Sequence, residues 1–407
     1  MYLFIQIIAV MISVYYLIIS VSGLVYENAN KHHLPQKRFA LIIPAHNEET
    51  VIGNMIESLK NLNYPGHLYD IFVVADNCTD HTASVAKNEG AFVFERTNTA
   101  QTGKGHALQY IFNKLLASDQ KYDAVAIFDA DNIVSRNFLI HMNNQLCEGK
   151  KVIQGYIESK NPFDSWVTCT YSICFWTLSR LYQLSRYQLG LSCNLWGTGF
   201  VIDTQILREI GWDVHCLTED LEFTLKLVLN NYKVAWEHKA VVYDEKPLTL
   251  SQSWVQRKRW MQGHSNVADR YLSKLLDKAY KDQDWSALDF ALYLLQPVRI
   301  TAACVVTLMA YLQTAYPNGI VDGVYIEYLF PFPHVWYFFL FLQFVYPTLL
   351  VLIERKFDWK VMLGYLMYPV FNFTYGIIAI QGMIDKNKKE WAHTVHNRNI
   401  RLKDLEF

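Results

Sequence analysis

Residues 39–157 alternate short apolar runs with helical patterns, and that alternation leaves few folds open. The runs 39–43, 70–75, 91–95, 122–128 and 152–157 are largely apolar and of strand length. Between the first two, Val51, Ile52, Met55, Ile56 and Leu59 fall on one helical face, and 82–88, 103–116 and 137–147 read as further helices. This order predicts an α/β fold with a mostly parallel, right-handed, doubly wound sheet. Asn47 is the expected N-cap of the first helix, with Glu48 and Glu49 in its first turn.

In such a sheet, ligands bind beyond the carboxyl ends of the strands. Asp76 follows the run 70–75, and Asp129-Ala130-Asp131 follows 122–128, so both are expected on one edge. A D-x-D turn there offers two oxygen ligands to a divalent cation, and that cation can clamp a diphosphate. The plainer reading of an isolated D-x-D is a surface loop with solvated aspartates. No Walker A loop, G-x-G-x-x-G, H-E-x-x-H or internal repeat is present, so phosphates would need a metal and basic side chains.

The 407 residues are 52% hydrophobic but only 18% charged, and the apolar excess lies at the two ends, which points to membrane spans. A net charge of −1 gives no broad basic field, so nucleic acid is not an expected partner. Seven cysteines without a C-x-x-C pair fit a reducing compartment. Residues 2–25 carry no charge and are long enough to span a bilayer, with no basic segment ahead of them to suggest a signal peptide. Lys31, Lys37 and Arg38 then place the next segment of the chain in the cytosol. Residues 166–184 read as a helix packed on the sheet or at the membrane surface, and 251–264 as a helix in the headgroup region. Further candidate spans are 296–316, 334–353 and 361–384. The loop 317–333 has no Lys or Arg and is expected outside, whereas Arg355, Lys356 and Lys360 are expected inside. Four spans would leave the tail outside, yet Lys386, Lys388, Lys389, Arg398, Arg401 and Lys403 argue for inside. The expected organisation is a transmembrane helix over 1–26, a cytosolic catalytic domain with interfacial helices over 36–270, a transmembrane region over 286–384 and a basic tail over 385–407. That makes a multi-pass protein of the cell membrane.

Five motifs occur in order: Ile42-Ile43-Pro44-Ala45-His46-Asn47-Glu48-Glu49 with Asp76, then Asp129-Ala130-Asp131, Trp196-Gly197-Thr198-Gly199, Thr218-Glu219-Asp220 and Gln256-Arg257-Lys258-Arg259-Trp260. This set resembles the family 2 glycosyltransferases that are processive membrane synthases of cellulose, mixed-linkage glucan, hyaluronan or poly-N-acetylglucosamine. The resemblance covers residues 39–264. It implies a GT-A (Rossmann-like) catalytic domain, a UDP-sugar donor, Mg²⁺ or Mn²⁺, inversion to a β-linkage and a polymer channel in the flanking helices. The chain departs from the better-known synthases in having one N-terminal span and no appended cyclic-dinucleotide domain.

The resemblance also implies roles. Asp131 is the main metal ligand with Asp129 beside it. Asp76 binds the uridine base, or alternatively caps the helix 82–88. Lys104 contacts uracil or phosphate, or is an ordinary solvated lysine. Asp220 is the general base, with the N-cap of helix 221–229 as its other reading, and Glu219 positions it. Arg257 and Arg259 meet the departing pyrophosphate, while Gln256 and Trp260 frame the acceptor. Trp196, Gly197 and Gly199 floor the acceptor site. His46, His106 and His215 read as structural, or as supporting the residues of the site from behind, and not as metal ligands. Trp391, His393, Thr394, His396 and Arg398 resemble a gating segment. The first function is secretion of a growing β-glycan from a UDP-sugar, UDP-glucose first and UDP-N-acetylglucosamine next, with the lipid bilayer and accessory secretion subunits as partners. The alternative is a non-processive transferase making a glycolipid or polyprenyl-phosphate sugar. A non-catalytic scaffold would not need Asp76, Asp131 and Asp220 intact.

Overall fold

The computed structural model describes residues 2–25, 31–214, 216–315, 333–388 and 398–405. His215, the loop 317–332 and Trp391, His393, Thr394 and His396 lie outside them. Strands β1 (Phe39–Ala45), β2 (Tyr69–Asp76), β3 (Phe92–Arg96), β4 (Ala124–Ile127), β5 (Ile133–Val134), β6 (Val152–Ser159), β7 (Phe200–Asp203) and β8 (Val234–Asp244) form one sheet in the order β3-β2-β1-β4-β7-β6-β8-β5. The strands of the first half are parallel, as the alternation predicts. β7 runs antiparallel to both β4 and β6, and β5 antiparallel to β8, so the sheet is mixed. Ala40 and Ile42 enter the core on one face of the sheet, and Phe39, Leu41 and Ile43 the core on the other. Burial on both faces is why β1 reads as an unbroken apolar run.

Helices α2 (Ile52–Lys60), α3 (Thr82–Asn88) and α5 (Phe138–Cys147) cover one face. The other face carries α4 (Lys104–Ala117), α6 (Trp166–Leu178), α8 (Thr204–Ile210) and α9 (Glu219–Leu229). Asn47 does not cap α2, whose first turn follows Val51. With φ at 55°, Asn47 turns its amide oxygen to the Thr79 N–H instead, at 2.8 Å, and pins the loop after β2. The strand β8 escapes the sequence reading because Glu237 and a bulge of His238, Lys239 and Ala240 interrupt its apolar pattern.

After α6 the helix widens into one π-helical turn, Ser179–Leu184, and closes as α7 (Ser185–Gln188). The long helix α10 (Leu250–Asp282) leads to α11 (Trp285–Leu294), α12 (Gln296–Ala315), α13 (Pro333–Ile353) and α14 (Trp359–Ile384), with α1 (Tyr2–Ser22) beside them. Among the described residues, α14 alone is long and apolar enough to cross a membrane as a single helix; α11 with the first half of α12, bent by 50°, passes as a pair.

An ion pair between Arg186 and Asp289 joins these layers with both side chains fully buried. It is bidentate, at 2.7 and 3.0 Å. Tyr15 of α1 donates to the same carboxylate at 3.0 Å, and the Tyr182 ring lies 3.4 Å from the guanidinium carbon. Removing one partner of a buried pair strands the other charge. Asp289→Ala should therefore lose roughly 3–5 kcal/mol in detergent-solubilised denaturation, and the apolar pair Arg186→Met with Asp289→Leu should recover most of it.

Candidate active site

The carboxyl ends of β2 and β4 flank that of β1, which puts Asp76 and Asp129 on one edge as the strand ends predict. Asp76 is buried, and Arg96, at the end of β3, donates to its Oδ1 at 2.5 Å. Asn77 donates to the same oxygen at 3.1 Å, and among the described residues no donor is recorded on Oδ2. Arg96 was not foreseen from sequence; its place at the end of the strand run 91–95, directly opposite Asp76 across β2 and β3, was the available signal.

Antiparallel β7 begins on the edge where the parallel strands end, and so delivers Trp196-Gly197-Thr198-Gly199 beside the D-x-D turn. The Asp129 N–H donates to Thr198 Oγ1 at 3.1 Å and to Asn132 Oδ1 at 3.3 Å. Thr198 donates in turn to Asn132, which reaches Asp131 Oδ1 at 3.3 Å and Asp244 Oδ1 at 3.2 Å. The buried Lys160 donates to the Asp131 carbonyl at 2.7 Å. Asn132, Thr198 and Lys160 thus shape the turn, and none belongs to the residues singled out by sequence for this role.

Lys104 opens α4, and its Nζ reaches Asp129 Oδ1 at 2.5 Å and the Gly197 carbonyl at 2.7 Å. Burial works against its charge, but Asp129 and Glu219 outweigh burial and push its pKa upward. Gly197 has φ of 80°, and a Cβ there would meet Asp220 Oδ2 at 3.5 Å. One ammonium therefore sits among the first aspartate of the D-x-D, the glycine loop and the Glu219–Asp220 pair.

Thr218, not Asp220, is the N-cap residue of α9, and Asp220 is its second helical residue. Its Oδ1 accepts the Leu221 N–H at 2.8 Å. Burial and then the neighbouring Glu219 charge push its pKa up to about 7, against the pull of that N–H and of Lys104. Glu219 is raised too, chiefly by burial. Glu222, one turn on, is fully buried and accepts from Arg270 at 2.7 Å, from Tyr271 at 3.1 Å and from the Cys216 N–H at 3.1 Å. Gly263 of α10 lies so close that a Cβ would fall 2.5 Å from Thr218 Oγ1. These contacts lock α9 to α10, and sequence reasoning missed both Glu222 and Gly263.

Gln256 and Trp260, one helical turn apart, face α6. Tyr171 donates to Gln256 at 3.0 Å and sets its ring 6.3 Å from Trp260. Phe175 continues the row to Trp196, at 5.7 Å. The two arginines part company. Arg259 lies near Glu219, whose carboxyl it helps to keep charged. Arg257 is fully buried on the other side, over the rings of Phe371 and Tyr375, and donates to Thr374 at 2.9 Å. The structure thus brings Arg259, and not Arg257, toward the Glu219–Asp220 pair, because residues two apart on a helix point to different sides.

Two carboxylates two residues apart are hard oxygen donors, and among the described residues no third His, Cys, Asp or Glu completes a cluster with them. Such a pair fits Mg²⁺ or Mn²⁺ that brings water and phosphate oxygens as its remaining ligands. Arg257→Ala should cost about 2 kcal/mol of stability through its lost aromatic contacts while sparing turnover. Arg259→Ala should leave the melting temperature unchanged and lower turnover. Thermal unfolding and kinetics on the same preparations would check both.

The model for "Glycosyltransferase like family 2" matches residues 35–263. The β-monoglucosyldiacylglycerol synthase of Synechocystis is 29% identical over 303 residues, 70% of this chain and 59% of that protein. The probable glycosyltransferase YdaM of Bacillus subtilis is 27% identical over 60% of this chain and 59% of its own length. This chain thus spans less than two thirds of either relative. The poly-β-1,6-N-acetyl-D-glucosamine synthase of Staphylococcus epidermidis is 22% identical over 88% of this chain and 87% of that protein. Among solved structures, the mannosyltransferase of Pyrobaculum calidifontis with GDP-Man and Mn²⁺ superposes with a TM-score of 0.59 at 16% identity, over 94% of this chain and 99% of that one. The fold is GT-A, and the chain belongs to the family 2 glycosyltransferases.

Proposed function

We propose that this chain is an inverting, UDP-sugar-dependent transferase at a membrane surface that extends a β-linked polysaccharide. The observation that carries the reading is Lys104, which binds Asp129 on the donor side and the loop beneath Asp220 on the acceptor side. Asp76, held through Oδ1 by Arg96 and Asn77, presents its other oxygen to the N–H of a uracil ring. The acceptor hydroxyl gives its proton to Asp220 as its oxygen bonds to the anomeric carbon. The bond from that carbon to the diphosphate breaks on the opposite face, and UDP departs. Arg259 and Lys104 offset the charge that develops on the leaving group. A divalent cation between Asp129 and Asp131 would supply further screening of the diphosphate.

Four helices support the bilayer part of the proposal. On α1, Ile7, Met11, Val14, Ile18 and Val21 form an exposed stripe at helical spacing, and α12, α13 and α14 carry similar exposed apolar faces. The aromatic row from Trp196 to Trp260 supports a sugar-chain acceptor, since ring stacking tolerates any chain length. Relatives matched along 88% of this chain and 87% of their own length are named poly-β-1,6-N-acetyl-D-glucosamine synthases. Relatives at 29–30% identity named for a glucosyl-diacylglycerol product favour a second reading, transfer of one sugar to a lipid.

Asp220→Asn should cut turnover by roughly 10²–10⁴-fold while leaving UDP affinity unchanged, by kinetics and calorimetry. The base must be ionised, so kcat/KM should rise through about pH 7 and fall below it. Ionised Asp220 is disfavoured in the fold. That cost grows as pH climbs from the unfolded value of 3.8 through about 7, so Asp220→Asn should be the more heat-stable protein at alkaline pH. Membranes given labelled UDP-glucose, or UDP-N-acetylglucosamine, with Mn²⁺ should make long polysaccharide that resists organic extraction, and excess EDTA should stop them. Label that all partitions into chloroform–methanol as a one-sugar lipid selects the second reading.

A further inference from the structure

We propose that a cavity on the edge of the sheet opposite the reaction centre binds a small phosphate-bearing anion, at a site separate from that of the sugar donor. The proposal stands without the proposed function.

The cavity measures about 340 Å³ and lies between the starts of β1 and β4 and the end of β7. Lys37 comes just before β1, and Lys121, Tyr122 and Asp123 just before β4. Asp203 ends β7 and opens α8, which carries Arg208. β4 and β7 pair antiparallel, Ala124 opposite Asp203 and Ile127 opposite Phe200. The same two strands therefore have the cavity at one end and the D-x-D turn and glycine loop at the other. Asp129 stands six residues beyond Asp123, roughly 20 Å of extended chain, so the two sites are distinct.

Three cations line the cavity, and none of them is compensated. The Lys37 and Lys121 ammonium groups and the Arg208 guanidinium make no ion pair and no side-chain hydrogen bond among the described residues. The acids around them are engaged elsewhere. Asp203 accepts from Lys151 at 2.7 Å on one oxygen and from the Gln205 N–H at 2.9 Å on the other. Asp123 accepts the Arg38 N–H at 2.7 Å. Glu209, next to Arg208 on α8, takes hydrogen bonds from Tyr232 and Gln205. Like charges gathered in a concave site raise its potential and draw in an anion. Two ammonium groups and a planar guanidinium together suit a group with several charged oxygens, which a phosphate or diphosphate supplies.

The backbone that carries these cations is fixed in place. The fully buried Asn143 accepts the Lys37 N–H at 3.2 Å, and the buried Tyr64 donates to the Lys37 carbonyl at 2.8 Å. Thr204 donates through Oγ1 to the Tyr122 carbonyl at 2.8 Å and through its N–H to the Asp123 carbonyl at 2.9 Å, which ties α8 to β4. Tyr122 is buried and donates to Asp70 at 2.9 Å. Walls set in advance reduce the ordering cost that a ligand meets.

Inorganic pyrophosphate titrated into the full detergent-solubilised chain in EDTA tests this by calorimetry. The chelator removes any divalent ion that would hold pyrophosphate at the D-x-D turn. One site should appear. Its affinity should fall at least tenfold in Lys37→Gln and in the double variant Lys121→Gln with Arg208→Gln, whereas Arg259→Ala, on the donor side, should leave it unchanged. No binding at millimolar pyrophosphate, binding kept in the neutralised variants or binding lost in Arg259→Ala would each overturn the proposal. The unaltered chain gives a second measurement where a variant fails to fold. Pyrophosphate should slow acetylation of Lys37 and Lys121, read by mass spectrometry, and spare Lys104; slowing at Lys104 alone, or at none of the three, would overturn the proposal. Dihexanoyl phosphatidic acid in a parallel titration separates the two sources of phosphate. Binding of either probe that the neutralised variants lose supports the site, and the tighter of the two assigns it to a lipid headgroup or to a solute.

Discussion

A single ammonium group organises the reaction centre. Lys104 gathers Asp129, the Gly197 carbonyl and the acidic pair at the start of α9 around one positive charge. Those three carboxylates would otherwise repel one another in a partly dry cleft. The glycine loop reaches that charge only because β7 is reversed, and the positive φ of Gly197 leaves the space that Asp220 overlooks. Strand direction, backbone chirality and carboxylate basicity thus meet at one nitrogen.

The donor edge was legible in the sequence because parallel strands write themselves plainly. Their apolar runs end abruptly, and Asp76 and Asp129 stand at those ends. The acceptor side was harder. β7 has four residues, and nothing local says that it is antiparallel or that it inserts beside β4. Arg96, Asn132 and Glu222 act through partners far along the chain, which one sequence does not display. The Gln-Arg-x-Arg-Trp motif suggested one surface, yet helical geometry sends Arg257 into aromatic rings and Arg259 toward Glu219. Asn47 looked like a cap and instead bridges two loops, because its left-handed backbone takes it out of the helix.

α10 works as a beam between the candidate site and the apolar helices. At Gly263 it touches Thr218 beside the proposed base, and at Met261 and Lys258 it touches α14. Glu222 adds a buried tie through Arg270 and Tyr271. The height of the reaction centre above the apolar helices is therefore set by rigid packing and not by a linker.

The tail contact has a consequence for how the molecule is made. Asn54 belongs to the second element after the leading helix, and its partner Asn399 follows 345 residues later. During synthesis the sheet and the long helices all precede that contact, so the cleft edge near Asp131 and Lys160 closes after them. Closing so long a loop is slow relative to local helix formation. A nascent chain would hold a formed sheet with an open edge until Arg398 and Asn399 reach it.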